Sequence, residues 1–215
     1  DLQRTLDALT PDTRLLIVNS PNNPTGWTIE DEEVDTLLAH CRRHGIWVLA
    51  DDAYAFMVMW ETMALSSYFL VTANHRIAEV RGAGYLYITM ARLGAIAILL
   101  CFGVLQAGTG DYSFANMRAQ TLSPFWASIG FGLAVFGFGA KAGILPLHVW
   151  LPEAHPAAPS PVSALMSGVM LNTAIYGLLR VSFDLLQLQL WWWGALLLAL
   201  GLATALFGVV FAAVQ

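Results

Sequence analysis

The chain has 215 residues, of which 57% are hydrophobic and only 12% are charged, and its formal net charge is −5. Soluble domains carry about 25% charged residues, so this composition excludes an ordinary soluble protein and indicates a membrane protein. Residues 1–55 hold 10 acidic residues and 4 arginines (net −6), whereas residues 56–215 hold 5 acidic and 6 basic residues (net +1). Because the acidic balance is confined to the first stretch, it points to no basic partner, and we expect no nucleic-acid partner either.

Residues 1–55 predict one βαβ unit. The apolar run TRLLIVN at 13–19 is typical of a buried strand, and SPNNPTG at 20–26 is a turn of Pro, Asn and Gly. A helix should follow from about Thr28, where acidic residues complement the helix dipole, to about His44. The second strand, IWVLA at 46–50, ends in DDAY. Strand, helix and strand in this order favour a parallel pair with a right-handed crossover.

Two motifs in this stretch resemble the fold-type I pyridoxal-phosphate aminotransferases: NNPTG at 22–26 and the strand that ends in DDAY at 51–54. The resemblance implies that Asn23 and Tyr54 would hydrogen-bond the 3-hydroxyl of the cofactor and that Asp51 would pair with its pyridine nitrogen. Alternatively, Asn23 only shapes a turn and Asp51 only ends a strand.

Aminotransferase activity is not expected. That family holds pyridoxal phosphate as a Schiff base on a lysine shortly after the DDAY strand, whereas the only lysine of this chain is Lys141, in an apolar segment. One βαβ unit also cannot bury an adequate core alone. We therefore predict that residues 1–55 are an inactive fragment of an aminotransferase large domain.

The aminotransferase pattern stops at Tyr54, and apolar sequence begins at once without a Gly, Ser or Pro linker. We therefore place a domain boundary between residues 55 and 56 and predict a chimera of two families, from a rearranged gene or a mis-assembled sequence. The chain is expected to be a fragment at both ends. Cys41 and Cys101 suggest neither a disulfide nor a metal site.

Apolar runs in residues 56–215 predict a mostly α-helical, multi-spanning membrane bundle. The five candidate spans are 56–73, 85–107, 124–147, 162–181 and 190–213. The second span carries Arg92 near its middle, with no assigned role. Pro146 should break the third span, since proline lacks an N–H and its ring clashes with the preceding turn. A broken helix at membrane depth is tolerated where it lines protein or water.

Lys141 lies in the third span, where a lone lysine costs about 2.5–3.5 kcal/mol at the centre of a helix. Charges placed in this way usually face a bundle interior and mark an ion or proton path, although Lys141 could instead snorkel to the interface. Glu61 lies in the first span, and a lysine and a glutamate at membrane depth can hand on a proton. An interfacial Glu61 is the alternative.

Three segments of the second piece resemble the antiporter-like membrane subunits of respiratory complex I and its relatives: WETMALSSYFLV, FGAKAGILPLHVWLPEAHPAAPSPVSALMSG and TAIYGLLR. Within this group, the three segments most resemble the large membrane subunit of formate hydrogenlyase and hydrogenase-4. The resemblance implies the fifth to ninth helices of that fold, proton or cation translocation in the cytoplasmic membrane, and hydrogenase or dehydrogenase subunits as partners. It also implies that Glu61 and Lys141 form an ion pair.

The resemblance extends the predicted proton path to His148 and Asn172. His148 follows the helix break, with His155 further on, and both could equally be ordinary loop histidines. Relatives carry a lysine where this chain has Asn172, and asparagine cannot accept and release a proton near neutral pH. The membrane piece is expected to bind no redox cofactor or metal, since it has no Cys or His cluster with ligand spacing. The alternative function is an inactive aminotransferase fragment or a non-functional chimera.

Overall fold

The computed structural model describes residues 2–18, 31–50 and 52–214, and it divides the chain into two units, Asp1–Phe56 and Met57–Gln215. The elements of the first unit are α1 (Leu2–Ala8), β1 (Leu15–Val18), α2 (Asp31–His44) and β2 (Trp47–Ala50). The two strands pair in parallel with Leu15 opposite Trp47, which confirms the predicted βαβ arrangement. Its small core contains Leu37, Cys41 and Ile46.

The structure leaves the aminotransferase assignment as a prediction. Asn23 and Asp51 lie outside the described residues. Tyr54 lies in the first turn of the following helix and is 60% exposed. A parallel pair of four-residue strands is a common arrangement, so the described elements of this unit do not test whether the stretch derives from an aminotransferase.

Within the described residues, five helical segments are long and apolar enough to cross a membrane: Ala53–Val71, Ala78–Leu105, Pro124–Ala157, Ser160–Leu185 and Trp191–Ala213. They confirm the predicted five spans, although the first, second and fourth begin earlier than expected. The helices are α3 (Ala53–Val71), α4 (Ala78–Leu105), α5 (Phe114–Ala119), α6 (Pro124–Ala142), α7 (Leu151–Ala157), α8 (Ser160–Leu165), α9 (Leu171–Arg180) and α10 (Trp191–Val214). A 3₁₀ turn (Leu147–Trp150) precedes α7, and π turns follow α8 (Met166–Met170) and α9 (Val181–Leu185).

The early start of α3 has a local cause. The Asp52 carboxylate accepts a hydrogen bond of 2.7 Å from the Ala55 N–H, which satisfies a donor that the first helical turn leaves free. The helix therefore begins at Ala53 rather than at residue 56. As a result Glu61 lies near the middle of α3 instead of near its start.

The third span is broken as predicted, but at a different residue. Helix α6 ends at Ala142, and Gly143 follows with a φ of +73°, which is the left-handed conformation that commonly ends helices. The Ile144 N–H then bonds the Gly139 carbonyl at 3.0 Å, which closes the helix end. The prediction that Pro146 ends the helix is therefore wrong: α6 has already stopped, because glycine adopts this backbone conformation without a steric cost.

Helices α4 and α6 pack closely and antiparallel. A methyl group on Gly94 would lie 2.9 Å from the Gly137 carbonyl oxygen, and one on Gly137 would lie 2.8 Å from the Gly94 oxygen. Two turns further along α4, the Cys101 thiol lies 3.2 Å from the Gly130 carbonyl oxygen. Small residues let the two backbones touch, as is usual between membrane helices. This close approach fixes which residues of the two helices face each other.

Candidate functional site: a buried lysine beside a helix break

Lys141 lies in the last turn of α6 and is only 3% exposed. Its Nζ donates a hydrogen bond of 2.6 Å to the hydroxyl oxygen of Tyr87, which is on α4 and is 1% exposed. The amine also lies 4.6 Å from the centre of the Tyr87 ring. A lysine that snorkels would place its amine in the interface. The Lys141 amine is instead buried inside the bundle.

Tyr87 is the residue of the site that sequence reasoning missed. Its hydroxyl donates a hydrogen bond of 3.5 Å to the Met170 sulfur. Its ring packs edge-on against Trp150, with centroids 5.2 Å apart. The sequence did offer one indication of its role, since Tyr87 lies inside an apolar span and a buried phenol usually needs a hydrogen-bond partner.

The break that follows Lys141 is tied to its surroundings by two hydrogen bonds. The Trp150 indole N–H donates to the Ala140 carbonyl at 2.7 Å, which folds the 3₁₀ turn back on α6. The Leu145 N–H donates to the Thr204 hydroxyl of α10 at 3.1 Å. Unpaired backbone groups at membrane depth cost several kcal/mol, in the range of about 2–7 kcal/mol, so such bonds are needed where a helix is interrupted.

Glu61 is bonded to Arg92 of α4, and among the described residues its ion pair is with that guanidinium. The side chains are 26% and 49% exposed. The predicted direct ion pair between Glu61 and Lys141 is therefore not formed, because Arg92 binds the carboxylate and the Tyr87 hydroxyl occupies the position beside the amine. Glu61 still interacts electrostatically with both Lys141 and Tyr87.

The remaining predicted path residues lie apart from these contacts. The His148 ring packs edge-on against Phe207 at 5.1 Å, and its buried Nδ1 has no hydrogen-bond partner within the described part of the chain. Asn172 is exposed on α9 and donates to the carbonyl of Gly168, one turn earlier, at 2.9 Å. No described hydrogen bond joins either residue to Lys141, so their part in a proton path stays a prediction.

His155 lies after the break, and its Nδ1 is 2.6 Å from the Ser163 hydroxyl. This contact links α7 to α8 across the turn that joins them, which gives His155 a structural role in that connection. Among the described residues there is no group of three His, Cys, Asp or Glu side chains that could hold a metal ion.

Comparison with known proteins identifies the membrane unit. Residues 50–215 match the family model described as NADH:quinone oxidoreductase/Mrp antiporter, TM. The chain is 49% identical to hydrogenase-4 component B of Escherichia coli over 168 residues, which cover 77% of this chain and 25% of that protein. It is 38% identical to formate hydrogenlyase subunit 3 of Escherichia coli over 173 residues, which cover 78% of this chain and 26% of that protein.

A solved structure agrees with these sequence matches. The Mrp complex from a Dietzia species superimposes with a TM-score of 0.68 and 28% identity, covering 76% of this chain and 18% of that one. The chain therefore belongs to the transmembrane family of NADH:quinone oxidoreductase and Mrp antiporter subunits, and it is a multi-pass membrane protein. It spans about a quarter of the length of the curated relatives reported above.

Proposed function

We propose that this chain is part of a subunit that translocates protons, or another cation, across the cytoplasmic membrane. The observation that carries the proposal is the Lys141 amine, which is buried beside a helix break and contacts a neutral hydroxyl rather than a carboxylate. Ionisable groups inside a membrane are expensive and are retained where they carry ions or protons. The family match and the relatives in hydrogenase and formate hydrogenlyase complexes support the same role.

Lys141 would hold the transferred proton, and Glu61 would set the electrostatic field at the amine. In the described state Arg92 binds Glu61, so the carboxylate is compensated by a cation other than Lys141. Exchange of Glu61 between the two cations changes the field at Lys141, and such a change drives proton uptake and release. The helix break lets the lysine end of α6 move without disturbing the rest of the span.

The partners would be the other membrane subunits and the hydrogenase or dehydrogenase subunits of a multisubunit complex. This follows from the names of the relatives, since hydrogenase-4 component B and formate hydrogenlyase subunit 3 are parts of such assemblies. We propose that this subunit carries no redox cofactor and that electron transfer takes place in its partners. His148 and Asn172 remain candidates for the path beyond Lys141.

The test is proton translocation by the full-length protein in its complex, reconstituted in vesicles that contain a pH-sensitive dye. Lys141→Ala and Lys141→Arg should both abolish acidification, the first because no amine remains and the second because arginine does not release its proton. Glu61→Gln should lower the rate strongly, whereas Glu79→Gln, at an exposed position in the first turn of α4, should not. Unchanged translocation in Lys141→Ala would overturn the proposed function.

We also propose that residues 1–55 originate from an aminotransferase gene. The support is the NNPTG and DDAY motif pair. Long-read sequencing of the source DNA across the codons for residues 53–59 tests this origin. Reads that cross the junction would show a real fusion, and separate reads for a complete aminotransferase and a complete membrane subunit would show an assembly error. A junction lying within an ordinary gene of the membrane family would contradict the proposed origin.

A further inference from the structure

Thr204 of α10 contacts the helix break that follows Lys141. Its hydroxyl oxygen accepts a hydrogen bond of 3.1 Å from the Leu145 N–H, and the hydroxyl donates one of 2.7 Å to the Leu200 carbonyl, one turn earlier on α10. A threonine hydroxyl has one hydrogen to donate, and here that hydrogen is committed to Leu200. The lone pairs of the Thr204 oxygen are therefore directed to accept from the break.

The Leu145 N–H needs this acceptor because the break interrupts the bonding pattern of α6. The neighbouring N–H groups bond within their own segment: those of Gly143 and Ile144 to the Gly139 carbonyl, and that of Leu147 to the Ile144 carbonyl. Pro146 has no N–H. Leu145 instead bonds a different helix. An N–H without an acceptor at membrane depth is costly, so Thr204 supplies what the interrupted helix does not.

A second contact between α10 and the break lies one turn further along. The ring of His148, in the 3₁₀ turn that follows the break, packs edge-on against Phe207 with centroids 5.1 Å apart. Thr204 and Phe207 are three residues apart on one helix, so they lie on the same face. One face of α10 therefore contacts both the backbone of the break and a side chain just beyond it.

We propose that Thr204 is a positioning residue for Lys141, an inference that rests on the proposed translocation function. Lys141 lies four residues before Leu145, in the last turn of α6, and its amine reaches the Tyr87 hydroxyl at 2.6 Å from that turn. Thr204 fixes the far side of the break through the Leu145 N–H. It transfers no proton itself, and it acts on the amine through the backbone. A displacement of α10 is therefore transmitted to Lys141 through this hydrogen bond.

Thr173 of α9 provides the matched control. Its hydroxyl donates to the Val169 carbonyl, one turn earlier, at 2.9 Å, in the same way that Thr204 donates to Leu200. Bonds of this kind within one helix are common for threonine and only shape the helix locally. The bond that distinguishes Thr204 is the one that it accepts from the break.

The experiment uses Thr204→Val, Thr204→Ser and Thr173→Val in the full-length protein, assembled in its complex. Valine keeps the shape of threonine but cannot accept a hydrogen bond, whereas serine can. Three quantities are measured in each variant: amide hydrogen exchange of residues 143–147, acetylation of Lys141 by a membrane-permeant amine reagent, and proton translocation in vesicles. Mass spectrometry locates both the exchange and the acetylation.

Thr204→Val should exchange the amides of the break about tenfold faster, which is the order of effect expected for one hydrogen bond. It should also acetylate Lys141 several-fold faster, since this side chain is only 3% exposed while the break is held, and translocation should fall several-fold. Thr204→Ser and Thr173→Val should match the wild type in all three. A threonine that only shaped α10 would leave the acetylation of Lys141 unchanged.

The outcomes separate this inference from the proposed function. Exchange and acetylation at wild-type rates in Thr204→Val would overturn the positioning role, whatever the translocation rate. Faster acetylation with normal translocation, while Lys141→Ala abolishes translocation, would also overturn it, because the lysine would then work without being held. Normal translocation in Lys141→Ala would instead overturn the proposed function.

The wild-type protein decides the question if Thr204→Val fails to assemble. A Leu145 amide that exchanges as fast as an unbonded amide would overturn the inference. Slow exchange at Leu145, together with wild-type acetylation and translocation in Thr204→Ser, would support it.

Discussion

Two charged sites of the membrane unit, at Lys141 and at Glu61, differ in their burial and in the charge of the group that they contact. Lys141 is buried and meets a neutral phenol, whereas Glu61 is bonded to an opposite charge, Arg92, and both of those side chains remain partly exposed. In the Glu61 pair each charge offsets the cost of placing the other within a membrane span. A buried ammonium without a carboxylate in contact is expensive, because desolvation is not repaid by a neighbouring charge.

The difference supports the proposal that Lys141, rather than Glu61, is the group that changes its protonation. A site that keeps an amine buried beside a polarisable hydroxyl can lose its proton without leaving a buried carboxylate unpaired. The Glu61 carboxylate, by contrast, is already compensated by Arg92, and under the proposed function it would act on the amine through its field. The two sites therefore have different sensitivities to substitution.

The largest effect is expected from Gly137→Val, which breaks the contact that holds the Lys141 site together. Any Cβ at this position would lie 2.8 Å from the Gly94 carbonyl oxygen, so α4 and α6 must separate, and with them Tyr87 and Lys141. Overpacking of this kind costs about 1–3 kcal/mol. We expect a lower thermal midpoint of the purified complex and no translocation.

Gly132→Val is the matched control, since a Cβ on that glycine of the same helix meets nothing within 4 Å. It should keep both the thermal midpoint and the translocation rate. If Gly137→Val also behaved as the wild type, the close approach of α4 and α6 would not be what positions Lys141.

An intermediate effect is expected from Arg92→Gln, which removes the cation from the partly exposed site and leaves Glu61 free to turn towards Lys141. Because Lys141 can then compensate the Glu61 carboxylate, we expect only a small change in stability. Translocation should fall several-fold, since the carboxylate then remains beside one cation. The measurement is the rate in vesicles alongside the thermal midpoint. A normal rate in this variant would show that translocation does not need Glu61 to exchange between the two cations.

The smallest effect is expected from Asp184→Asn, at a third charged cluster. Asp184 bonds Arg118 Nε at 2.7 Å and lies 3.4 Å from Arg180 Nε, and its side chain is 40% exposed. Losing an exposed pair of this kind costs about 0.5–1 kcal/mol. The thermal midpoint should fall slightly while translocation is unchanged. A large loss of translocation would extend the ion path to this end of the bundle and weaken the contrast between the two main sites.

Much of the fold could be predicted from the sequence because hydropathy and turn residues act locally. Each of the five spans is a single apolar run, so its existence did not depend on any partner. Strand, helix and strand in residues 1–55 were predicted for the same reason. The element boundaries were predicted less accurately. The Asp52 cap starts α3 before the predicted residue 56, and the Gly143 turn ends α6 before the predicted break at Pro146.

The sequence by itself also singled out Lys141 as a candidate functional residue, because a lone lysine in an apolar span is costly wherever the helix packs. The tertiary structure alone decided what this lysine contacts. Tyr87 is 54 residues away, and the two residues meet because Gly94 and Gly137 bring the antiparallel helices into backbone contact. Likewise, Glu61 pairs with Arg92 because the packing of α3 against α4 brings these two side chains together. Pairings of this kind are set by helix packing, which local sequence patterns do not record.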